Sequence, residues 1–145
     1  MKTVSNQIQR EAGQVESPAL FRLVEWLEGP QEGRPFSADD LGPLADLLVD
    51  TALTSPWPAR YAWALGKIPQ LASEKTDALL RRLPADRIDE ELLWQATVAL
   101  QNAATPPEDE TRRLVTSLYR RIVARAATTP IASLRREQLH ALLLE

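Results

Sequence analysis

The sequence predicts an all-α fold: a short right-handed α-solenoid-like array of antiparallel helix pairs, about seven helices, with no sheet. Three observations lead there. Leucine and alanine recur at helical spacing in nearly every segment. Prolines, glycines and capping residues cut the chain into pieces of about 8–20 residues, the usual helix range. No run alternates with the two-residue period of a strand, and no Asn-Gly or Asp-Gly hairpin turn occurs.

Residues 1–16 are polar, with Val4, Ile8 and Val15 as their apolar bulk. They read as a flexible N-terminal arm, with room for one short helix, ahead of a single helical-repeat domain over 17–145. Ser17-Pro18 opens the first clear helix: serine caps free N–H groups, and proline at the first turn loses nothing by lacking one. Leu20, Leu23, Val24 and Leu27 form its stripe, and Gly29-Pro30 ends it. After the loop "GPQEGRP", Ser37 and Asp40 stand three apart as a variant capping box. The stripe Leu41, Leu44, Leu47, Leu48 and Ala52 follows, with Gly42-Pro43 early enough in the helix to be tolerated.

Ser55-Pro56 opens a helix over about 56–68, closed by Pro69. Ser73 is placed to cap a helix carrying Leu79, Leu80 and Leu83, which Pro84 closes. Asp89 caps a helix with Leu92, Leu93, Ala96, Ala99 and Leu100. Thr105-Pro106-Pro107 precedes the longest helix, about 106–127, whose "EDE" favours the positive helix end and whose apolar side is Leu114, Val115, Leu118 and Ile122. Thr129-Pro130 breaks it. Ser133 then caps a last helix with Leu134, Leu139 and Leu142–Leu144.

Shifting the chain by 35 residues places Trp63-Ala64-Leu65 on Val98-Ala99-Leu100, and Leu79, Leu80 and Leu83 on Leu114, Val115 and Leu118. In reverse, Leu44, Ala45 and Leu48 fall on the same Leu79, Leu80 and Leu83. One offset relates two kinds of helix without gaps, so the expected unit is a helix pair: 56–68 with 73–83, then 89–103 with 106–127, after a degenerate pair 18–28 with 38–53. A pair cannot bury both faces alone; stacking supplies the missing neighbour. Trp63 lies about 200° round its helix from Tyr61, which turns it toward a neighbouring pair.

"ARYAWALGKI", through Ala62, Ala64, Leu65, Gly66, Lys67 and Ile68, resembles the first helix of a bacterial HEAT-like repeat ending in Ala-Leu-Gly-Lys-Ile. "LLWQATVALQNA" matches through Ala96, Ala99 and Leu100. The likeness covers about 37–127. It departs at Arg60, nearer the glycine than the usual arginine, at "PQLASE" in place of a Gly-Asp turn, and at Gln101 in place of glycine. A tetratricopeptide array has a similar period, but its Trp-Leu-Gly-Tyr signature is absent. The resemblance implies a scaffold that binds a partner rather than a particular reaction.

Composition narrows the function classes. The net charge of −3 argues against nucleic acid as the main partner, because phosphate binding draws on a basic excess. The absence of cysteine removes disulfides, thiolate catalysis and cysteine-bound metals. The first twenty residues lack a signal-peptide apolar core, and no apolar run reaches the ~20 residues of a membrane span. These features read as a cytoplasmic protein that engages no membrane. No Walker loop, dinucleotide fingerprint or nucleophile elbow occurs. The single histidine, His140, has no orienting partner in sequence. Asp39-Asp40, Asp89-Glu90-Glu91 and Glu108-Asp109-Glu110 all fall at expected helix starts, where acids complement the helix dipole. The expectation is therefore no enzyme, no cofactor and no metal.

Two features remain as candidates for binding. Arg81, Arg82, Arg112, Arg113, Arg120 and Arg121 recur on the second helix of successive pairs, followed by Arg125 and Arg135-Arg136. Such a ridge suits an acidic protein surface or, as the alternative function, a nucleic-acid backbone. Four tryptophans beside two tyrosines and two phenylalanines is a rich supply of a residue favoured at binding hot spots. Trp26, Trp63 and Trp94 read as packing residues. Trp57, between Pro56 and Pro58, is least bound to a helical pattern and reads as a staple or an anchor. The function expected is a non-catalytic protein-binding module of adaptor, inhibitor or immunity type, acting on one partner or on itself as a homodimer.

Overall fold

A computed structural model describes residues 2–126 and 134–143, with the backbone alone at 126, 134–137 and 142. The described residues form an all-α fold of eight helices without a strand: α1 (Lys2–Arg10), α2 (Pro18–Glu28), α3 (Leu41–Thr54), α4 (Pro58–Leu65), α5 (Ala72–Arg82), α6 (Glu90–Asn102), α7 (Asp109–Ala126) and α8 (Leu134–Leu143). Single 3-10 turns at Ala38–Asp40 and Ala85–Arg87 lead toward α3 and α6. The Thr129-Pro130 break and the Ser133 cap lie outside the described residues.

One core runs through the molecule. Leu20 and Leu23 from α2, Leu44 and Leu48 from α3, Tyr61 and Leu65 from α4, Leu79 from α5 and Leu92 from α6 are all almost wholly buried in it. Helix α4 packs on α3, α5 and α6; α3 also meets α5, and α6 meets α5, α7 and α8. The small residues expected to permit close approach are at these contacts. Ala62, Ala64 and Ala96 have no exposed surface. Most residues related by the 35-residue shift share their burial: Leu44 with Leu79, Ala45 with Leu80 and Val115, Leu48 with Leu83 and Leu118, Ala64 with Ala99; Leu114, the third in the Leu44 series, is half-buried.

Several helix starts use the local chemistry that the sequence predicts. Asp89 accepts from the Leu92 N–H at 2.8 Å. Asp40 Oδ2 accepts from the Ser37 N–H at 2.9 Å, closing the capping box. The acidic clusters lie at the starts of α3, α6 and α7. Helix α4 is shorter than expected. Its start moves to Pro58, because the Trp57 N–H turns back to Ser55 Oγ at 3.0 Å. At its end, Lys67 and Ile68 bond to carbonyls three residues back, tightening the chain into 3-10 geometry. Ser73 is not the cap of α5, which begins at Ala72; its hydroxyl instead donates to the Thr105 carbonyl. The neighbouring Ala104 N–H donates to Pro69 O at 2.9 Å, so the loops ahead of α5 and α7 are tied together.

The largest departure from the expected fold is at the N-terminus. Helix α1 packs against the domain, while residues 13–16 are exposed at its surface. Ile8 has no exposed surface, and α1 packs on α2 and α3. The anchor is Arg60, whose guanidinium donates to the carbonyls of Glu11, Ala12, Gln14 and Val15 and to Tyr61 Oη. These carbonyls follow α1, where a cation complements the negative helix end. The same device recurs. Arg34 donates to Leu27 O and Gly29 O at the end of α2, and Arg87 to Leu53 O and Ser55 O at the end of α3.

Ser17 caps α2 through another residue. Its hydroxyl donates to Glu11 Oε1 at 2.9 Å, and the same oxygen accepts the Ala19 N–H at 2.9 Å. Burial opposes ionisation of Glu11. The bonds from Ala19, Gln7 and Ser17, together with the Arg60 charge, outweigh it and hold the carboxyl below its ordinary value.

Candidate functional site

Three separated parts of the chain meet along a groove of about 940 Å³. Residues 15–21 form one wall, 56–63 the floor, and Asp89, Glu91 and Gln95 the far rim. The groove thus runs across the starts of α2, α4 and α6.

Each wall has a local cause. Arg60 holds the carbonyls of residues 14 and 15, which brings Val15 and Glu16 to the edge. Pro18 begins α2 and sets Phe21 on its outward side, off the buried stripe of Leu20, Leu23 and Val24. Trp57 is the residue just before α4. Its N–H is taken by Ser55, and the Ser55 hydroxyl in turn donates to the Ala12 carbonyl. Pro56 and Pro58 restrict the backbone on either side. The Trp57 backbone is therefore held on both sides, while the residue remains 43% exposed. Trp63, half-buried six residues further on, meets the Phe21 ring with centroids 5.4 Å apart, and Lys67 Nζ lies 5.7 Å from its ring centre. Among the described residues, four large hydrophobic side chains are exposed, and three of them line this groove: Val15 (76%), Phe21 (59%) and Trp57 (43%).

The charged lining is mostly acidic. Glu16, Asp89 and Glu91 are exposed; Asp89 also holds the α6 cap, and Glu91 accepts from Gln95. Arg60 is the base among the lining residues, and its terminal nitrogens are occupied by carbonyls and by Tyr61.

The arginine ridge divides in two. Arg81 pairs with Asp77 at 2.9 Å on the same helix, and Arg82 with Asp50 of α3 at 3.1 Å. Asp77 also accepts from Thr111 of α7 at 2.7 Å, so this group ties helices together. Arg112, Arg113, Arg120 and Arg121 are exposed on one face of α7, where with Thr116 and Ser117 they line a shallow depression of about 580 Å³. The structure does not bring Trp57 and these arginines together; they belong to different surfaces. Side chains of Arg135 and Arg136 lie outside the described residues.

His140 is exposed and lies 3.1 Å from Tyr119 Oη through Nδ1. Trp26 meets Phe36 edge to face and is half-buried, as is Trp94. Among the described residues no group of three His, Asp or Glu side chains is arranged to hold a metal, and no helix is long and apolar enough to cross a membrane.

Reading by sequence missed Phe21, Val15 and Arg60 as parts of a site. Phe21 carried a signal: an aromatic on the polar side of an otherwise well-ordered stripe. Arg60 carried none, since its partners lie 45 to 49 residues away. Comparison with protein-family models, curated proteins and solved structures finds no match to this chain.

Proposed function

We propose that this chain is a non-catalytic protein-binding module, built as a short array of stacked helix pairs, whose groove at Trp57 receives a segment of one partner protein. The observation that carries the reading is the concentration of exposed hydrophobics. Val15, Phe21 and Trp57 share one groove, whereas isolated exposed hydrophobics scatter over ordinary surfaces. The backbone that carries Trp57 is held before any partner arrives, which lowers the ordering cost of binding. The matching burial at the 35-residue shift and the packing of α3 on α5 and of α4 on α6 support the stacked array, and with it the HEAT-like resemblance.

A phage-displayed peptide library tests this. Clones are selected on the intact protein and counter-selected on a Phe21→Glu/Trp57→Ala variant of unchanged helical circular dichroism. Clones that bind only the intact protein are expected; a selection in which no clone distinguishes the two proteins removes the groove from consideration.

A second reading, a nucleic-acid backbone binder, draws on the α7 face. Its four arginines are exposed, and no ion pair to them occurs among the described residues, unlike Arg81 and Arg82. The net charge of −3 sets the rest of the surface against it. Salt-sensitive retardation of short duplex DNA is the expected result under this reading.

A further inference from the structure

We propose that the occupant of the Trp57 groove is a proline-rich, basic segment bound in the extended polyproline II conformation. This rests on the groove reading above and names its ligand.

Charge selects the sign of the ligand. Glu16 on one wall and Asp89 and Glu91 on the far rim face it, three acids against the single lining base, Arg60, whose terminal nitrogens are bonded to carbonyls of the N-terminal segment. The rim therefore favours lysine or arginine and repels phosphate or carboxylate. The helix starts here do not reverse that preference. At these starts the Ala19 N–H binds Glu11, the Trp57 N–H binds Ser55 and the Leu92 N–H binds Asp89.

Backbone chemistry selects the conformation. The floor is made of aromatic and proline rings, and the helices around it offer no free ladder edge. A strand-like ligand would leave buried N–H groups unpaired, at a cost. Proline has no N–H, and a proline-rich segment is already extended before it binds, so little further ordering is lost. Aromatic-lined grooves with an acidic edge suit such segments.

The test uses the full chain and fluorescein-labelled synthetic peptides read by anisotropy. The first peptide is ten residues of proline and leucine ending in two arginines. In the second, glutamates replace the arginines. The third is a proline-free scramble of the same charge, and the fourth a basic amphipathic helix. The first is expected to bind at least about tenfold more tightly than the other three. Trp57→Ala should weaken it by about tenfold or more, the scale of a hot-spot residue. A Glu16→Lys/Glu91→Lys variant should weaken it several-fold and flatten its salt dependence; both variants must keep the helical circular dichroism of the parent. Tighter, Trp57-dependent binding of the helical or the acidic peptide overturns the proposal while leaving the groove as a docking site. Binding of the first peptide that survives Trp57→Ala and Phe21→Glu overturns the assignment to this groove. Failure of all four peptides, with phage clones that still depend on Trp57, overturns the polyproline occupant alone. Failure of both experiments overturns occupant and groove together.

Discussion

Gly66 rests directly against Ala99: a Cβ built on Gly66 would lie 3.2 Å from the Ala99 Cα and 3.3 Å from its Cβ. This is where α4 ends against α6. The backbone at Gly66 is right-handed helical, so glycine is needed there for the close approach and not for its conformation.

Gly66→Ala should therefore destabilise the fold. The added methyl meets backbone, which cannot swing away, and overpacking of this kind costs about 1–3 kcal/mol, partly offset by alanine's better helix propensity. Gly13→Ala is the matched control. A Cβ there meets nothing within 4 Å, and its φ is not positive. It should be neutral or stabilising by about 0.5 kcal/mol. Urea unfolding of both variants checks the pair; equal effects would show that the α4–α6 contact is not as close as described.

Much of this fold is written in short-range patterns. Leu44, Leu48 and Ala52 mark α3 by spacing alone, and Asp89 and Asp40 cap helices with donors three residues away. Such signals survive because both partners sit within one turn. The missing parts depend on distant partners. Glu11 displaces Ser17 as the cap of α2, and Arg60 turns an apparently free arm into a docked segment. Nothing near either residue in sequence names those partners. The groove is non-local in the same way. Trp57 was visible as an unplaced ring between prolines, but Phe21, Val15 and Glu91 join it only after three helices stack.

Replacing Arg60 should release the N-terminal segment without unfolding the rest. Lysine keeps the charge but not the planar fork that reaches four carbonyls. Arg60→Lys should cost about 1.5–3 kcal/mol, the range for hydrogen bonds to a charged group. Amide exchange at residues 12–17 should quicken selectively, and limited proteolysis should cut there first. Since this segment carries Val15 and Glu16, groove binding should weaken as well, even though Trp57 is untouched. Uniformly faster exchange along the whole chain would instead point to a general loss of stability.

Glu11 predicts a pH dependence with a definite sign. Its folded carboxyl is held below the ordinary value, burial being outweighed by bonds from Ala19, Gln7 and Ser17 and by the Arg60 charge. The folded protein therefore binds the proton less readily than the unfolded chain. The stabilisation is fully present above the unfolded value, near 4.3, and is lost as pH falls through the lower folded one. Glu11→Gln should be less stable than the parent at pH 7, and the gap should close below about pH 4. A gap that stays constant down to pH 3 would mean that the carboxylate charge contributes nothing there.

Two double reversals of equal charge separate the halves of the arginine ridge. Arg81→Glu/Arg82→Glu removes cations already paired with Asp77 and Asp50, and sets acid beside acid. Arg112→Glu/Arg113→Glu removes two exposed cations from the α7 face. The first pair should cost some stability, through the two ion pairs lost and the repulsion from the aspartates left behind. It should change retention on a heparin column little, because paired charges project a weak field. The second should leave urea stability within about 0.5 kcal/mol of the parent, the usual range for a surface change. Its heparin retention at low ionic strength should fall clearly. Equal losses of retention in both variants would mean that net charge governs anion binding, and that α7 presents no distinct basic face. Anisotropy with the proline-rich peptide should be unmoved by the α7 pair, since that face lies outside the groove at Trp57.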